Sequence, residues 1–84
     1  MQSLRRRIDR LDRKLLTLLN ERAGLAVKVG AEKRQQGLAL HDPSREREVL
    51  RGVAAANAGP VPAAAVRKIF RLIMSSCRDL ERHT

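Results

Sequence analysis

From Gln2 to about Arg34 the chain contains no proline, and Leu4, Ile8, Leu11, Leu15, Leu18, Leu25 and Val29 recur at alternating spacings of four and three, with Arg22 filling one register position. This seven-residue apolar repeat predicts one long helix with a leucine seam. At 1.5 Å per residue such a helix is about 50 Å long, whereas a compact chain of this size has a radius of gyration near 12 Å and a diameter of roughly 30 Å. The helix therefore projects from its own subunit, and a projecting leucine seam calls for a second chain. Gly24 and Gly30 weaken it by about 1 kcal/mol each relative to Ala, but small residues let a neighbouring helix come close.

The rest of the composition points the same way. Eighty-four residues suffice for one domain and leave no room for a second core. A chain this short buries only about 60 to 65% of its unfolded surface, so it needs disulfides, a metal or a partner chain. The single cysteine, Cys77, excludes a disulfide framework, and His41 and His83 do not complete a zinc ligand set with it. No metal and no cofactor are expected. Oligomerisation, in the form of a homodimer along the first helix, is the remaining help.

Eighteen Lys and Arg against nine Asp and Glu give a net charge of +9, so the natural partner is an anion: a nucleic acid, an acidic membrane surface or a small polycarboxylate. A hydrophobic content of 43% argues against a disordered basic tail. Phe70 is the only aromatic residue, which counts against single-strand nucleic-acid binding through stacked bases. No apolar run approaches the roughly 18 to 20 residues of a membrane span, and the N-terminus lacks the apolar centre of a secretory signal. The cytoplasm is the expected compartment.

Gly37 is expected to end the first helix. Asp42 followed by Pro43 reads as an N-cap with proline in the first turn of a second helix. That helix runs to about Ala56 with Val49, Leu50 and Val53 inward, and Asn57, Gly59 and Pro60 terminate it. A third helix runs from about Pro62 to Arg82, with Val66, Ile69, Phe70, Ile73, Met74, Cys77 and Leu80 on its apolar side. The fold class is all-α, with a long, a short and a medium helix.

Arg22 sits where the repeat demands an apolar side chain. A buried guanidinium needs a carboxylate partner or a route to water. Lys33 lies eleven residues on, only about 20° around the helix from Arg22 and about 16 Å along it. Two cations on one inner stripe, at that separation, suggest an anion held between helices. Arg5 lies about 100° around from Arg22, so it faces elsewhere and could serve a partner chain's site. Arg45 and Glu46 fall in the first turn of the second helix, where free backbone N–H groups bind oxygen ligands, although capping by Asp42 with a solvated charged face accounts for the same string. Cys77 and Glu81 lie one turn apart on the third helix. Glu81 is either a surface residue near a fraying end or, if buried, a donor rather than an acceptor of a hydrogen bond.

Taken in order, the blocks LRRRIDRLDRKLLTLLNER, LAVKVGAEK, DPSRERE and IFRLIMSSCRDLE resemble the all-helical chorismate mutases over nearly the whole chain. The resemblance implies three helices per chain, two chains intertwined along their first helices, and the [3,3] rearrangement of chorismate, a dicarboxylate, to prephenate on the route to phenylalanine and tyrosine. It further implies that Arg22 and, from the other chain, Arg5 grip the carboxylates, and that Lys33 contacts a carboxylate and the ether oxygen of the breaking bond. Arg45 and Glu46 then form the polar pair at the second helix, where Glu46 takes the ring hydroxyl and Asp42 lies alongside. Glu81 faces the ether oxygen, where an ionised carboxylate would repel the developing charge, so it is expected to work protonated. Cys77 stands where some members use serine to bind a carboxylate. A thiol donates poorly, so either the helix backbone supplies that contact or Cys77 is a small core residue.

A lyase for isochorismate or a mutase for an amino analogue would use the same fold, but the DPSRE block with Glu46 suits chorismate's hydroxyl. A basic helical dimer binding nucleic acid through Arg5, Arg6 and Arg7 is a reading of another class. It leaves Arg22 and Lys33 on an inner stripe that a phosphate backbone cannot reach, so neither nucleic acid nor membrane is the expected partner. A third reading is a mutase raised in activity by a partner enzyme of the same pathway. With no regulatory domain expected in this chain, feedback control would arrive through such a partner.

Overall fold

The computed structural model describes residues 1–84 as three helices without strands: α1 (Gln2–Gln35), α2 (Pro43–Ala56) and α3 (Ala63–Arg82). The ends lie where the local chemistry stops or starts a helix. Gly37, at φ +69°, closes α1 with paired bonds from its own N–H to the Arg34 carbonyl (3.2 Å) and from the Leu38 N–H to the Lys33 carbonyl (2.8 Å). This is the left-handed C-terminal stop that glycine permits. At α2 the Asp42 Oδ1 accepts from the Arg45 N–H at 3.1 Å, and Pro43 occupies the first helical position, where its missing N–H costs nothing. Asn57 then shapes the α2–α3 turn, accepting from the Gly59 N–H (3.0 Å) and donating to the Val61 carbonyl (2.7 Å). Pro62 occupies the N-cap position of α3, so the helix begins at Ala63, one residue beyond the start expected from sequence.

The molecule measures 52 × 25 × 15 Å with a radius of gyration of 15.3 Å, against about 12 Å for a compact chain of this length. The excess is α1: every residue from Met1 through Glu21 is exposed, and only the second half of the helix meets α3. α3 packs against both α1 and α2. The surface of 6716 Å² exceeds the roughly 5,000 Å² expected of a folded monomer of this mass.

α1 carries two distinct faces. Its covered positions are mostly small, Ala23, Ala26, Gly30 and Ala31 among them, and they form the face toward α3. The leucine seam lies about 100° around the helix from it. Leu4, Ile8, Leu11, Leu15, Leu18, Leu25 and Val29 are each between 48% and 63% exposed. Gly30 makes the close helix approach expected of a small residue, whereas Gly24 has nothing within 4 Å.

On α3 the covered face differs from the sequence expectation. Met74, Cys77 and Glu81 are its buried residues, so the face is rotated by about 50° toward the charged flank. Ile69 and Leu80, expected inward, are open to solvent, as is Leu72. An apolar stripe wider than α1 and α2 together cover leaves one edge bare.

Candidate active site

The second half of α1, the α1–α2 loop, the start of α2 and the end of α3 enclose one cleft of about 290 Å³. Its apolar wall comes from Leu25, Ala26, Val29, Val49 and Met74. Seven polar or charged side chains singled out in the sequence converge on it: Arg22, Lys33, Asp42, Arg45, Glu46, Cys77 and Glu81. Helical periodicity accounts for the convergence. Arg22, Val29 and Lys33 are separated by two turns and then one turn along α1, while Met74, Cys77 and Glu81 follow a spacing of three and four along α3.

Arg22 is half-buried and has no carboxylate partner in the chain. Its Nη1 donates to Cys77 Sγ at 3.5 Å, and a thiol sulfur accepts only weakly. The salt bridge that a buried guanidinium ordinarily calls for is not made within the subunit. Lys33 is likewise half-buried and makes no salt bridge; its Nζ donates to the Leu40 carbonyl at 3.2 Å. That contact fixes the ammonium over the loop and leaves two of its three donors for a ligand. Two uncompensated cations on one wall favour an anion between them.

The opposite end of the cleft is more nearly neutral. Glu46 Oε2 accepts from Arg78 Nη1 and lies 3.6 Å from His41 Nε2. Arg45 lines the cleft but is exposed, and its Nη1 pairs with Glu48 Oε1 at 2.6 Å. Glu81 is the one buried charged residue, 9% exposed, and its carboxyl oxygens make no hydrogen bond or ion pair within the chain. Its main-chain carbonyl accepts from Arg34 Nη1 at 2.7 Å, which ties the end of α3 to α1.

Arg5 is exposed on the free half of α1 and does not reach the cleft of its own chain. Three participants escaped the sequence reading. Arg78 lines the cleft and follows Phe70 and Met74 at four-residue intervals, so it is a cation at the edge of an apolar stripe, the same signal that singled out Arg22. The Leu40 carbonyl that holds Lys33 carries no signal in residue type. His41, weighed in the sequence only as part of an incomplete zinc ligand set, stands beside Glu46.

A cleft with two unpaired cations at one end, a paired carboxylate at the other and an unengaged carboxyl between helices accompanies a match over nearly the whole chain. Residues 4–82 match the family described as chorismate mutase type II. The chain belongs to that family. A chorismate mutase structure from Thermus thermophilus superposes with a TM-score of 0.95 at 41% identity, covering 96% of this chain and 92% of that one. A bifunctional chorismate mutase/prephenate dehydratase from Aquifex aeolicus is 41% identical over 98% of this chain, and one from Neisseria gonorrhoeae is 44% identical over 93%. The chain spans about a quarter of the length of these curated relatives, 24% and 21% respectively. Its chorismate mutase fold is thus all-helical, and no helix is long and apolar enough to cross a membrane.

Proposed function

We propose that this chain catalyses the rearrangement of chorismate to prephenate as a homodimer with two clefts. The observation that carries the reading is the pair Arg22 and Lys33, half-buried on one wall without any acidic partner, in a chain of this family. Chorismate brings two carboxylates. Arg22 grips one from α1 and Arg5 of the partner subunit closes over the other, while Arg45 adds charge at the rim. Glu46 accepts a hydrogen bond from the ring hydroxyl, with Asp42 holding the start of α2 beside it.

The reaction breaks the ether C–O bond and forms a C–C bond in one cyclic shift of electrons. No proton is transferred and no covalent intermediate forms. The protein's part is to hold the two reacting arms in the compact, chair-like arrangement and to stabilise negative charge growing on the ether oxygen. Lys33 supplies the positive charge there. The Glu81 carboxyl, free of partners inside the chain, faces the same oxygen and hydrogen-bonds to it. Cys77 shapes the wall and accepts from Arg22 rather than contacting substrate.

The dimer reading is supported by the bare leucine seam on α1 and by surface in excess of a monomer's by about 1,700 Å², an area on the scale of a stable interface. The Aquifex and Neisseria relatives join a chorismate mutase to a prephenate dehydratase. An enzyme of the latter kind would consume the product made here.

The test is the loss of chorismate's ultraviolet absorbance on adding purified protein, with prephenate identified as product. The chain contains no Trp or Tyr, so its own absorbance interferes little. Turnover abolished by Arg22→Ala supports the reading. Pyruvate release from isochorismate with no action on chorismate overturns it.

A further inference from the structure

Arg78 lies on α3 with only 22% of its side chain exposed, and its buried Nε has no acceptor anywhere in the chain. A buried guanidinium N–H without a partner weakens a fold, so stability does not account for an arginine here. What Arg78 does make is an ion pair across to α2, where its Nη1 donates to Glu46 Oε2. His41 Nε2 lies 3.6 Å from that same oxygen. Both neighbours crowd one oxygen of the carboxylate, and Oε1 has no partner in the chain although Glu46 lines the cleft.

We infer that Arg78 is a positioning residue that makes the cleft select a neutral ring hydroxyl over an ammonium at Glu46. A bare carboxylate in a partly desolvated cleft prefers an ammonium, because charge attraction adds to the hydrogen bond. A carboxylate already neutralised by a guanidinium gains little from a second cation and still accepts from a hydroxyl. Arg78 also turns Glu46 so that the free oxygen is the one offered. The inference rests on the chorismate mutase reading of the cleft and names how that site distinguishes its substrate from the analogue that carries an amine in place of the ring hydroxyl.

The experiment measures kcat/KM for chorismate and for the amine analogue with wild type, Arg78→Met and Arg78→Lys, alongside thermal melts. Methionine keeps the packing volume and removes the charge; Arg78→Gln serves the same purpose should Arg78→Met not fold. The expected result is a shift of the chorismate-to-amine ratio by about tenfold or more toward the amine, the size of one charge-assisted contact, in a variant whose thermal melt shows it folded at the assay temperature. Arg78→Lys restores most of the ratio. An equal loss on both substrates, an unmoved ratio, or a shift that lysine does not reverse overturns the role. A wild type inert toward chorismate overturns the underlying reading and this inference with it, whereas an active wild type whose ratio ignores Arg78 overturns this inference alone.

Discussion

Gly30 of α1 and Glu81 of α3 touch so closely that a Cβ on Gly30 would lie 3.0 Å from Glu81 Cγ and 3.1 Å from its Cβ. The atoms in the way belong to the stem of the glutamate and not to its tip, so the side chain cannot swing aside without moving α3. The absence of one methyl group on α1 therefore sets how deep the Glu81 carboxyl enters the cleft. It also explains why a glycine is tolerated in the middle of a long helix despite its cost in helix propensity.

Gly30→Ala tests that relationship. Alanine improves α1 by about 1 kcal/mol, and overpacking against Glu81 costs about 1 to 3 kcal/mol. The net change in stability is expected to be a loss of less than about 2 kcal/mol, while kcat falls by at least about tenfold because the carboxyl is displaced from the reacting oxygen. Thermal melts and steady-state kinetics on the same preparation separate the two. A variant with wild-type kcat would mean that the position of Glu81 does not matter to the reaction.

Lys33→Ala removes the charge proposed to meet the ether oxygen. The expected loss is about 10²- to 10³-fold in kcat, the size typical of one preorganised electrostatic donor. Stability falls only modestly, by about 1 kcal/mol, for the lost contact to the Leu40 carbonyl. A rise in KM with kcat unchanged would show that Lys33 binds the ground state and transition state alike.

Glu81→Gln distinguishes a hydrogen-bond donor from a charge. A carboxyl donates only while it holds its proton, whereas an amide donates at every pH. Glu81→Gln is therefore expected to retain or raise kcat, whereas Glu81→Ala, which removes the donor, is expected to lose about 10²- to 10³-fold. Wild-type kcat in both variants would remove Glu81 from contact with the reacting oxygen.

The helix ends were legible because glycine, proline and Asp42 act locally, and the structure departs from the expected bounds by a single residue at Gln35 and at Ala63. Periodicity likewise grouped Arg22 with Lys33 and Cys77 with Glu81. It could not say which part of a wide apolar stripe the subunit itself covers. Ile69 and Leu80 were read as inward because hydropathy marks a face without naming the chain that buries it. Arg78 stands at the edge of the apolar stripe of α3, but its partner Glu46 lies 32 residues earlier, and the ion pair between two helices leaves no trace in the spacing along either one.

Arg5 and Arg22 offer a test of the dimer that does not depend on measuring its size. Each single variant, Arg5→Ala or Arg22→Ala, is expected to lose nearly all activity, since each empties both clefts of one carboxylate grip. In an intertwined dimer a cleft combines Arg22 of its own chain with Arg5 of the partner subunit, so a mixed dimer holds one cleft with both arginines and one with neither. Unfolding and refolding the two variants together in equal amounts gives half mixed dimers by random pairing, and activity should return to about a quarter of wild type. Leu15→Glu, which puts a charge into the exposed seam, should abolish that recovery and leave a monomer by light scattering. If the mixture stays as inactive as its parents while the wild type elutes as a dimer, Arg5 does not cross to the neighbouring cleft.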